Sequence, residues 1–149
     1  MNLKHNLTPL LTKHFGYSDF RENQHEIINS ILQNEDTLVI MPTGGGKSLC
    51  FQLSAIASKG TAIIISPLIA LMKNQVDVLK GLFNIDGVAN VLNSSLSKSD
   101  VELVKDQIKN GITKLLYMAP ESLTKQKNID FLKDQKISFV AIDEAHCIS

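Results

Sequence analysis

The sequence predicts an α/β fold with a mostly parallel sheet, and three observations support this. From Asp36 onward, short apolar runs of strand length alternate with longer helical stretches, which is typical of strands joined by crossover helices. The runs are continuously apolar, as in strands buried on both faces. A glycine-rich segment also lies between a predicted strand and a predicted helix. The 149 residues are enough for one domain with one core.

Five segments rich in Val, Ile or Leu are predicted strands: 37–41, 61–66, 88–92, 114–118 and 137–142. All are far shorter than the ~20 apolar residues that cross a bilayer, so we expect no membrane segment. Met1 is not followed by the basic and apolar stretches of a secretory signal. The cytoplasm is therefore the expected location.

Helix signals occupy the regions between and before these strands. Thr8 and Pro9 have the pattern of an N-cap and a first helical residue, and Gly16 marks a stop. The segment 99–102 has the pattern of a capping box, and Gly111 is placed to end that helix. A further helix is predicted over 49–58. Residues at helical spacing predict two buried faces, formed by Val101, Val104 and Ile108 and by Leu68, Met72, Val76 and Leu79.

Net charge and cysteine spacing give no support for two kinds of site, a polyanion-binding surface and a zinc site. Fifteen basic and fifteen acidic residues give a net charge of zero, so overall charge supplies no reason to expect a polyanionic partner. The two cysteines, Cys50 and Cys147, form no C-x-x-C pair, which argues against a zinc site. We expect both to be reduced and partly buried.

The segment 41–48, Met-Pro-Thr-Gly-Gly-Gly-Lys-Ser, has the sequence and context of a phosphate-binding loop. Consecutive glycines let backbone N–H groups surround phosphates at the start of the following helix. The strict motif has glycine six residues before the lysine, where Met41 stands here, and an ordinary glycine-rich turn is the alternative. The predicted nucleotide-binding residues are Thr43, Gly44, Gly45, Gly46, Lys47, which reaches the β- and γ-phosphates, and Ser48, a magnesium ligand.

Two carboxylates follow the predicted strand 137–142, at the end where open α/β sheets bind ligands. Asp143 is predicted to hold magnesium, and Glu144 to orient and deprotonate the attacking water. A solvated strand end is the alternative for an isolated Asp-Glu pair. His146 gains a functional interpretation only from these neighbours, as a link to a second ligand.

Taken together, the motifs resemble superfamily-2 helicases of the DEAH kind, and in detail the RecQ family. The resemblance covers nearly the whole chain, through Phe15 to Tyr17 with Phe20, Arg21 and Gln24, and through the segments 41–52, 65–73, 117–121 and 143–149. It implies a RecA-like P-loop NTPase, a three-layer sandwich, with residues 1–149 forming the ATP-binding domain up to the DEAH motif. The implied activity is ATP-driven DNA strand separation with 3′ to 5′ polarity, in the nucleoid if the source is bacterial, with ATP and Mg²⁺ as cofactors.

The resemblance also implies roles outside the phosphate loop. Residues 1–35 would form adenine-recognition helices, with Tyr17, Arg21 and Gln24 near the base; from spacing alone, the aromatic residues there would be core and Arg21 solvated. Contacts to the DNA backbone would come from Ser66, Pro67, Lys73 and Asn93, although Lys73 also fits a solvated helix face.

Members of that family continue beyond this point into further strands and a second RecA-like domain. The resemblance places one of those strands between the phosphate-loop strand and the strand 137–142, so we expect a gap in the sheet and little ATP turnover by these 149 residues alone. Two other interpretations stay open: a small-molecule kinase that uses Lys47, Ser48 and Asp143, and a non-catalytic nucleotide-binding module.

Overall fold

The computed structural model describes residues 3–21, 23–39 and 46–143. The chain divides into two compact units, Met1–Ser58 and Lys59–Ser149, called here the N-terminal and C-terminal units. The N-terminal unit contains α1 (Leu3–Leu10), a π-helix (Leu11–Phe15), α2 (Gln24–Leu32) and α3 (Lys47–Ala57). The C-terminal unit contains β1 (Thr61–Ile65), α4 (Ile69–Phe83), β2 (Ala89–Leu92), α5 (Lys98–Lys109), β3 (Leu115–Met118), α6 (Pro120–Leu123), α7 (Gln126–Lys133) and β4 (Ile137–Ile142).

The N-terminal unit is a helical cluster around a small apolar core. Its buried members, from α1, the π-helix, α2 and α3, are Leu7, Leu11, Ile28, Cys50 and Leu53. Phe15 and Phe20 pack against this core, which agrees with the alternative that spacing alone favoured for those two rings. The predicted helix 49–58 is confirmed and begins two residues earlier, at Lys47.

The helix predicted to begin after Thr8 begins earlier, so that N-cap was wrong. Leu7 and Leu11 are both buried, and burying this pair at a spacing of four favours helix on both sides of Pro9. The proline lies inside α1, where it cannot donate a backbone hydrogen bond. The helix then changes to wider π turns and ends at Gly16, whose φ of 78° confirms the predicted stop.

The predicted strand 37–41 is not formed over its described part. Residues 37–39 have no regular structure, and the Leu38 side chain is 87% exposed. Thr37 instead makes local bonds, since its hydroxyl lies 3.0 Å from the Glu35 carbonyl and 2.8 Å from the Ser30 hydroxyl. A strand requires a neighbour to satisfy its backbone groups, and no described strand pairs with this segment. Residues 40 and 41 lie outside the described residues.

The C-terminal unit confirms the predicted parallel sheet. Its four strands lie in the order β2-β3-β1-β4, and every pair is parallel. β1 and β3 are buried along their whole length. β4 was also expected to be buried on both faces, but Val140 is 56% and Ile142 58% exposed. It lies at an edge of the described sheet, where less apolar surface is covered.

Helices of the C-terminal unit follow the predicted apolar faces with two corrections. Val104 and Ile108 are buried, and Val101 packs against the same cluster; Met72, Val76 and Leu79 are buried as well. Leu68 is exposed because it precedes α4 in an extended conformation. The capping residue of α5 is Ser97, whose hydroxyl accepts the Asp100 N–H at 3.2 Å, so the predicted box at 99–102 lies two residues too late.

A buried polar network ties the amino ends of the strands together. The Asn90 amide nitrogen lies 2.9 Å from Gln107 Oε1 and 2.9 Å from Thr113 Oγ1. The Thr113 hydroxyl donates to the Gly87 carbonyl at 2.7 Å, and Thr61 donates to the Thr113 carbonyl at 2.7 Å. Low local dielectric strengthens such bonds and raises the cost of breaking them.

We expect Asn90→Ala to lower the free energy of unfolding by about 2 kcal/mol, because it leaves buried acceptors without their donor. Urea denaturation measures the change. Asn110→Ala, at an exposed position after α5, is the control and should change stability by less than ~0.5 kcal/mol. Equal effects of the two substitutions would contradict a stabilising role for the network.

Candidate nucleotide and nucleic-acid sites

Gly46 is the N-cap residue that precedes α3, and its conformation agrees with the predicted phosphate-loop geometry at its described end. Its backbone is left-handed, with φ 81° and ψ 24°, a conformation that glycine adopts without strain. Lys47 and Ser48 are the first two residues of α3 and are half-buried. Helix N-termini attract anions through free N–H groups and the helix dipole. Thr43, Gly44 and Gly45 lie outside the described residues.

Gln24 links α2 to the start of α3 within the N-terminal unit. The side chain is 2% exposed; its Oε1 accepts the Arg21 N–H at 2.8 Å, and its Nε2 donates to the Gly46 carbonyl at 3.2 Å. A Cβ added to Gly46 would lie 2.2 Å from Gln24 Nε2, so a side chain there would displace the Gln24 amide from its present position. The segment predicted to hold adenine is therefore bonded to the end of the predicted phosphate loop.

The other two predicted adenine contacts lie at the surface. Tyr17 is 52% exposed, and its carbonyl accepts the Thr12 hydroxyl at 3.0 Å. The Arg21 side chain is also exposed. Aromatic rings and guanidinium groups can stack on a base, and the contact of Tyr17 and Arg21 with adenine stays a prediction.

We expect Gly46→Ala to lower the free energy of unfolding by roughly 2–4 kcal/mol, combining the left-handed backbone cost with the overlap against Gln24. Gly16→Ala is the matched control, since Gly16 has a similar φ of 78° and a Cβ added there would have no other atom within 4 Å; it should cost only ~1–2 kcal/mol. Urea unfolding of both variants measures the difference.

A double-mutant cycle with Gln24→Ala separates overlap from backbone strain. Removing the Gln24 side chain should recover about 1 kcal/mol or more of the Gly46→Ala loss. Additive effects of the two substitutions would show that the Gln24 contact does not constrain Gly46.

Cys50 is a buried thiol one turn into α3. It is 3% exposed, and its Sγ donates to the Gly46 carbonyl at 3.6 Å. Burial raises the pKa of the Cys50 thiol to about 11, so the thiol is neutral near pH 7. Cys50 is a free thiol, as expected, and it is fully rather than partly buried; Cys147 lies outside the described residues.

We expect alkylation of Cys50 at pH 8 to be slower than that of a free small-molecule thiol by roughly 100-fold or more, because only the thiolate reacts. The rate should rise with pH until the pKa near 11 is reached. Peptide mass spectrometry after timed iodoacetamide treatment distinguishes Cys50 from Cys147. A rate that levels off near pH 9 would contradict the raised pKa.

The C-terminal unit aligns the residues that follow its four strands in one row. Ile142 is level with Ile65, Ile65 with Met118, and Met118 with Leu92. The residues that come next, in the order β4-β1-β3-β2, are Asp143, Ser66, Ala119 and Asn93. We call them the edge row. Strands lie about 4.8 Å apart, so the row is about 14 Å long.

Asp143 is held at one end of the edge row. It is 5% exposed, and its N–H donates to the Ile65 carbonyl at 2.8 Å. The sequence prediction of an acid at this edge of the sheet is thus confirmed in position. Glu144 and His146 lie outside the described residues. Lys47 and Ser48 belong to the other unit, so their convergence with Asp143 on one nucleotide stays a prediction.

The predicted DNA contacts differ in how available they are. Ser66 is buried, and its hydroxyl accepts the Leu68 N–H at 3.3 Å. Pro67 is half-buried, and Lys73 is exposed on α4. Asn93 is half-buried, and its side-chain oxygen accepts the Ser95 N–H at 2.8 Å. The side chains of Ser66 and Asn93 therefore stabilise the backbone that follows them, in addition to their place in the edge row.

Two features of these sites escaped the sequence analysis. The bond between Gln24 and Gly46 joins residues 22 positions apart, and no periodicity relates them. A cleft beyond the ends of β2 and β3 includes Lys125 and Lys127; the available signal was a pair of lysines closely following the predicted strand 114–118.

A parallel sheet with an acid at its carboxyl edge and a Gly-Lys-Ser helix start are both typical of nucleotide-binding α/β proteins. A sequence profile of the DEAD/DEAH box helicase family matches residues 21–149. The chain belongs to the DEAD/DEAH box helicase family.

Individual relatives agree with the predicted resemblance to RecQ. The chain is 45% identical, over 99% of its length, to the ATP-dependent DNA helicase RecQ of Pasteurella multocida. It is 44% identical over 97% of its length to the RecQ of Bacillus subtilis, and 42% identical over 96% to that organism's probable ATP-dependent DNA helicase RecS. It spans only 23%, 24% and 28% of these three proteins. Within the described ranges, no helix is both long and apolar enough to cross a membrane.

Proposed function

We propose that this chain is the ATP-binding part of a RecQ-like DNA helicase, which couples ATP hydrolysis to separation of DNA strands with 3′ to 5′ polarity. The proposal includes Mg²⁺ as a cofactor, DNA as the partner and the cytoplasm as the location. A second RecA-like domain is the expected partner in catalysis.

The edge row is the observation that carries this proposal. It sets Asp143, the predicted magnesium-binding acid, beside Ser66, the first predicted DNA contact, with their strands paired in register. The residue proposed to bind magnesium and a residue proposed to contact DNA would then lie side by side on one sheet edge. A change in the contacts of Asp143 would reach the β1 end through the bond between the Asp143 N–H and the Ile65 carbonyl.

The proposed nucleotide roles follow the chemistry of each side chain. The Lys47 ammonium would neutralise the β- and γ-phosphates, and Glu144 would orient the attacking water. Mg²⁺ prefers oxygen ligands, which the Ser48 hydroxyl and the Asp143 carboxylate provide, and when bound it would neutralise charge on the transferred phosphate. His146 would connect the nucleotide and DNA sites. Tyr17, Arg21 and Gln24 would contact adenine.

The proposed DNA roles rest on backbone contacts rather than base reading. Ser66 and Pro67 follow the end of β1 and Asn93 follows the end of β2, and the exposed Lys73 lies on α4, the helix after β1. Polar groups in such positions fix a strand's phosphates without selecting its sequence. Binding should therefore depend on salt more than on sequence.

We expect Lys47→Ala in the natural protein to lower DNA-stimulated ATP turnover by about 100-fold or more, because one cation aimed at the transferring phosphate is lost. Lys59→Ala, at an exposed position after α3, is the matched control and should leave turnover unchanged. Phosphate release with and without single-stranded DNA is the measurement.

Three outcomes decide the proposal. Unchanged turnover by Lys47→Ala would exclude this phosphate site. Turnover that a small phosphoryl acceptor stimulates, and that single-stranded DNA does not, would favour the kinase interpretation. Nucleotide binding without turnover by the unsubstituted protein would favour the non-catalytic module.

A further inference from the structure

Two lysines of α5 and a phenylalanine of α7 meet on the helical surface of the C-terminal unit. The Lys105 Nζ lies 5.2 Å from the centroid of the Phe131 ring, and the Lys109 Nζ lies 5.7 Å from the same centroid. At such distances the face of an aromatic ring attracts a cation. One ring therefore holds two ammonium groups, and we call these three residues the cationic cluster.

The ring at the centre of the cationic cluster is held by the core. Phe131 is half-buried and packs against the core cluster to which Val104 and Ile108 of α5 belong. One turn further on, the Gln135 side-chain amide donates to the Phe131 carbonyl at 3.3 Å. The position of the ring is therefore restricted, and it restricts the positions of the two ammonium groups in turn.

The positive charge of the cationic cluster is not neutralised by the described residues around it. Glu102 and Asp106 precede Lys105 and Lys109 by three positions on α5, a spacing at which ion pairs can form on a helix. Among the residues that the structure describes, neither lysine takes part in an ion pair. The two lysines are four positions apart, where like charges destabilise a helix. A bound anion would remove that cost.

The cationic cluster lies away from the edge row. α5 begins after the end of β2 and leads back to the start of β3, and both lysines belong to its second half. They are therefore displaced toward the edge of the sheet opposite to that of Asp143 and Ser66. None of the segments that resemble the helicase motifs includes a member of the cationic cluster.

The charges beside the cationic cluster distinguish between two kinds of anionic partner. Four exposed acids lie within three positions of a cluster member along the chain: Glu102, Asp106, Asp130 and Asp134. These acids would repel the unbroken row of phosphates of a nucleic-acid strand. A protein segment can instead place carboxylates at the lysines and neutral or basic residues beside the acids, which is the usual form of charge complementarity between proteins.

We propose that the cationic cluster is a docking site for an acidic segment of a partner protein, whose carboxylates pair with Lys105 and Lys109. This inference goes beyond the proposed function, since the cluster contains none of the residues proposed to act on ATP or DNA. Each ammonium group over the ring has three N–H donors, and the ring face needs none of them as a hydrogen bond. The donors are thus available to carboxylate oxygens.

A fluorescent peptide of alternating glutamate and glycine tests the proposal in the natural protein, by anisotropy at low salt, where exposed charges are least screened. The same peptide with glutamine in place of glutamate is the control ligand. The variant is Lys105→Ala/Lys109→Ala. The matched control, Lys133→Ala/Lys136→Ala, removes the same charge from two exposed lysines outside the cationic cluster. Lys105→Arg/Lys109→Arg keeps the charge.

We expect the Lys105/Lys109 alanine variant to bind the glutamate peptide roughly 10-fold more weakly, because two exposed charge pairs are lost. The matched control and the arginine variant should bind nearly as the unsubstituted protein does. Phe131→Leu keeps an apolar side chain and both charges but releases the ammonium groups, so it should weaken binding by a smaller factor, about threefold. Binding of the glutamine peptide should not depend on the two lysines.

The outcomes separate this inference from the proposed function. If the unsubstituted protein does not bind the glutamate peptide, or if the alanine variant loses no more affinity than the matched control, the cationic cluster is not a docking site. If the alanine variant keeps the peptide and loses a labelled single-stranded oligonucleotide, the cluster is a nucleic-acid surface and the proposal is overturned. DNA-stimulated ATP turnover should be unchanged in this variant, so failure of the docking site leaves the proposed function standing.

Discussion

The pairing of β1 with β3 on one side and β4 on the other is the interaction on which the rest of the C-terminal unit depends. β1 is buried along its length. Its backbone hydrogen bonds to β3 and β4 continue one residue past the ends of the strands. Ser66 donates its N–H to the Met118 carbonyl, and Asp143 donates to the Ile65 carbonyl. The residues proposed to act on ATP and DNA are therefore placed by backbone hydrogen bonds, which do not depend on side-chain identity.

The parts of the fold that could be predicted from sequence are those determined by burial. β1, β2, β3 and β4 were all recognised from continuous apolar runs, because strands buried on both faces of a parallel sheet have this composition. The segment 37–39 is similar in composition but not in structure, since a strand also depends on a neighbour that its own residues do not specify. Helix starts failed at Thr8 and Ser99 for a related reason: an N-cap is defined by backbone conformation, and several nearby polar residues could fill it.

In the candidate site, too, some residues could be predicted from the sequence and others could not. The helix start at Gly46, Lys47 and Ser48 was predictable because a phosphate-loop pattern is local in sequence, and the position of these residues at the start of α3 agrees with that pattern. The Gln24 contact was not predictable from pattern, since it depends on how α2 packs beside α3. Lys125 and Lys127 carry no motif, and only the three-dimensional arrangement of β2, β3 and α7 reveals that they share a cleft.

In the N-terminal unit, one backbone carbonyl connects the predicted adenine-binding segment with the end of the predicted phosphate loop. Gly46 O receives both the Gln24 amide and the Cys50 thiol, so the backbone at the start of α3 is held from α2 and from within α3. The cost of this arrangement is a position where any other residue is strained by the positive φ and displaces the Gln24 amide. Such a site combines exact backbone placement with intolerance to substitution.

The irregular register between β1 and β4 has an effect at the far end of the pair. Thr61 is level with Ile137, but Ile63 is level with Val140, so β4 contains one extra residue. If the same residues of β4 kept the register of Thr61 and Ile137 throughout, with no shift, Asp143 would stand opposite Pro67, one step of about 3.3 Å further along and on the other side of the sheet. The register shift near the beginning of β4 thus determines both the height and the facing direction of the acid relative to Ser66.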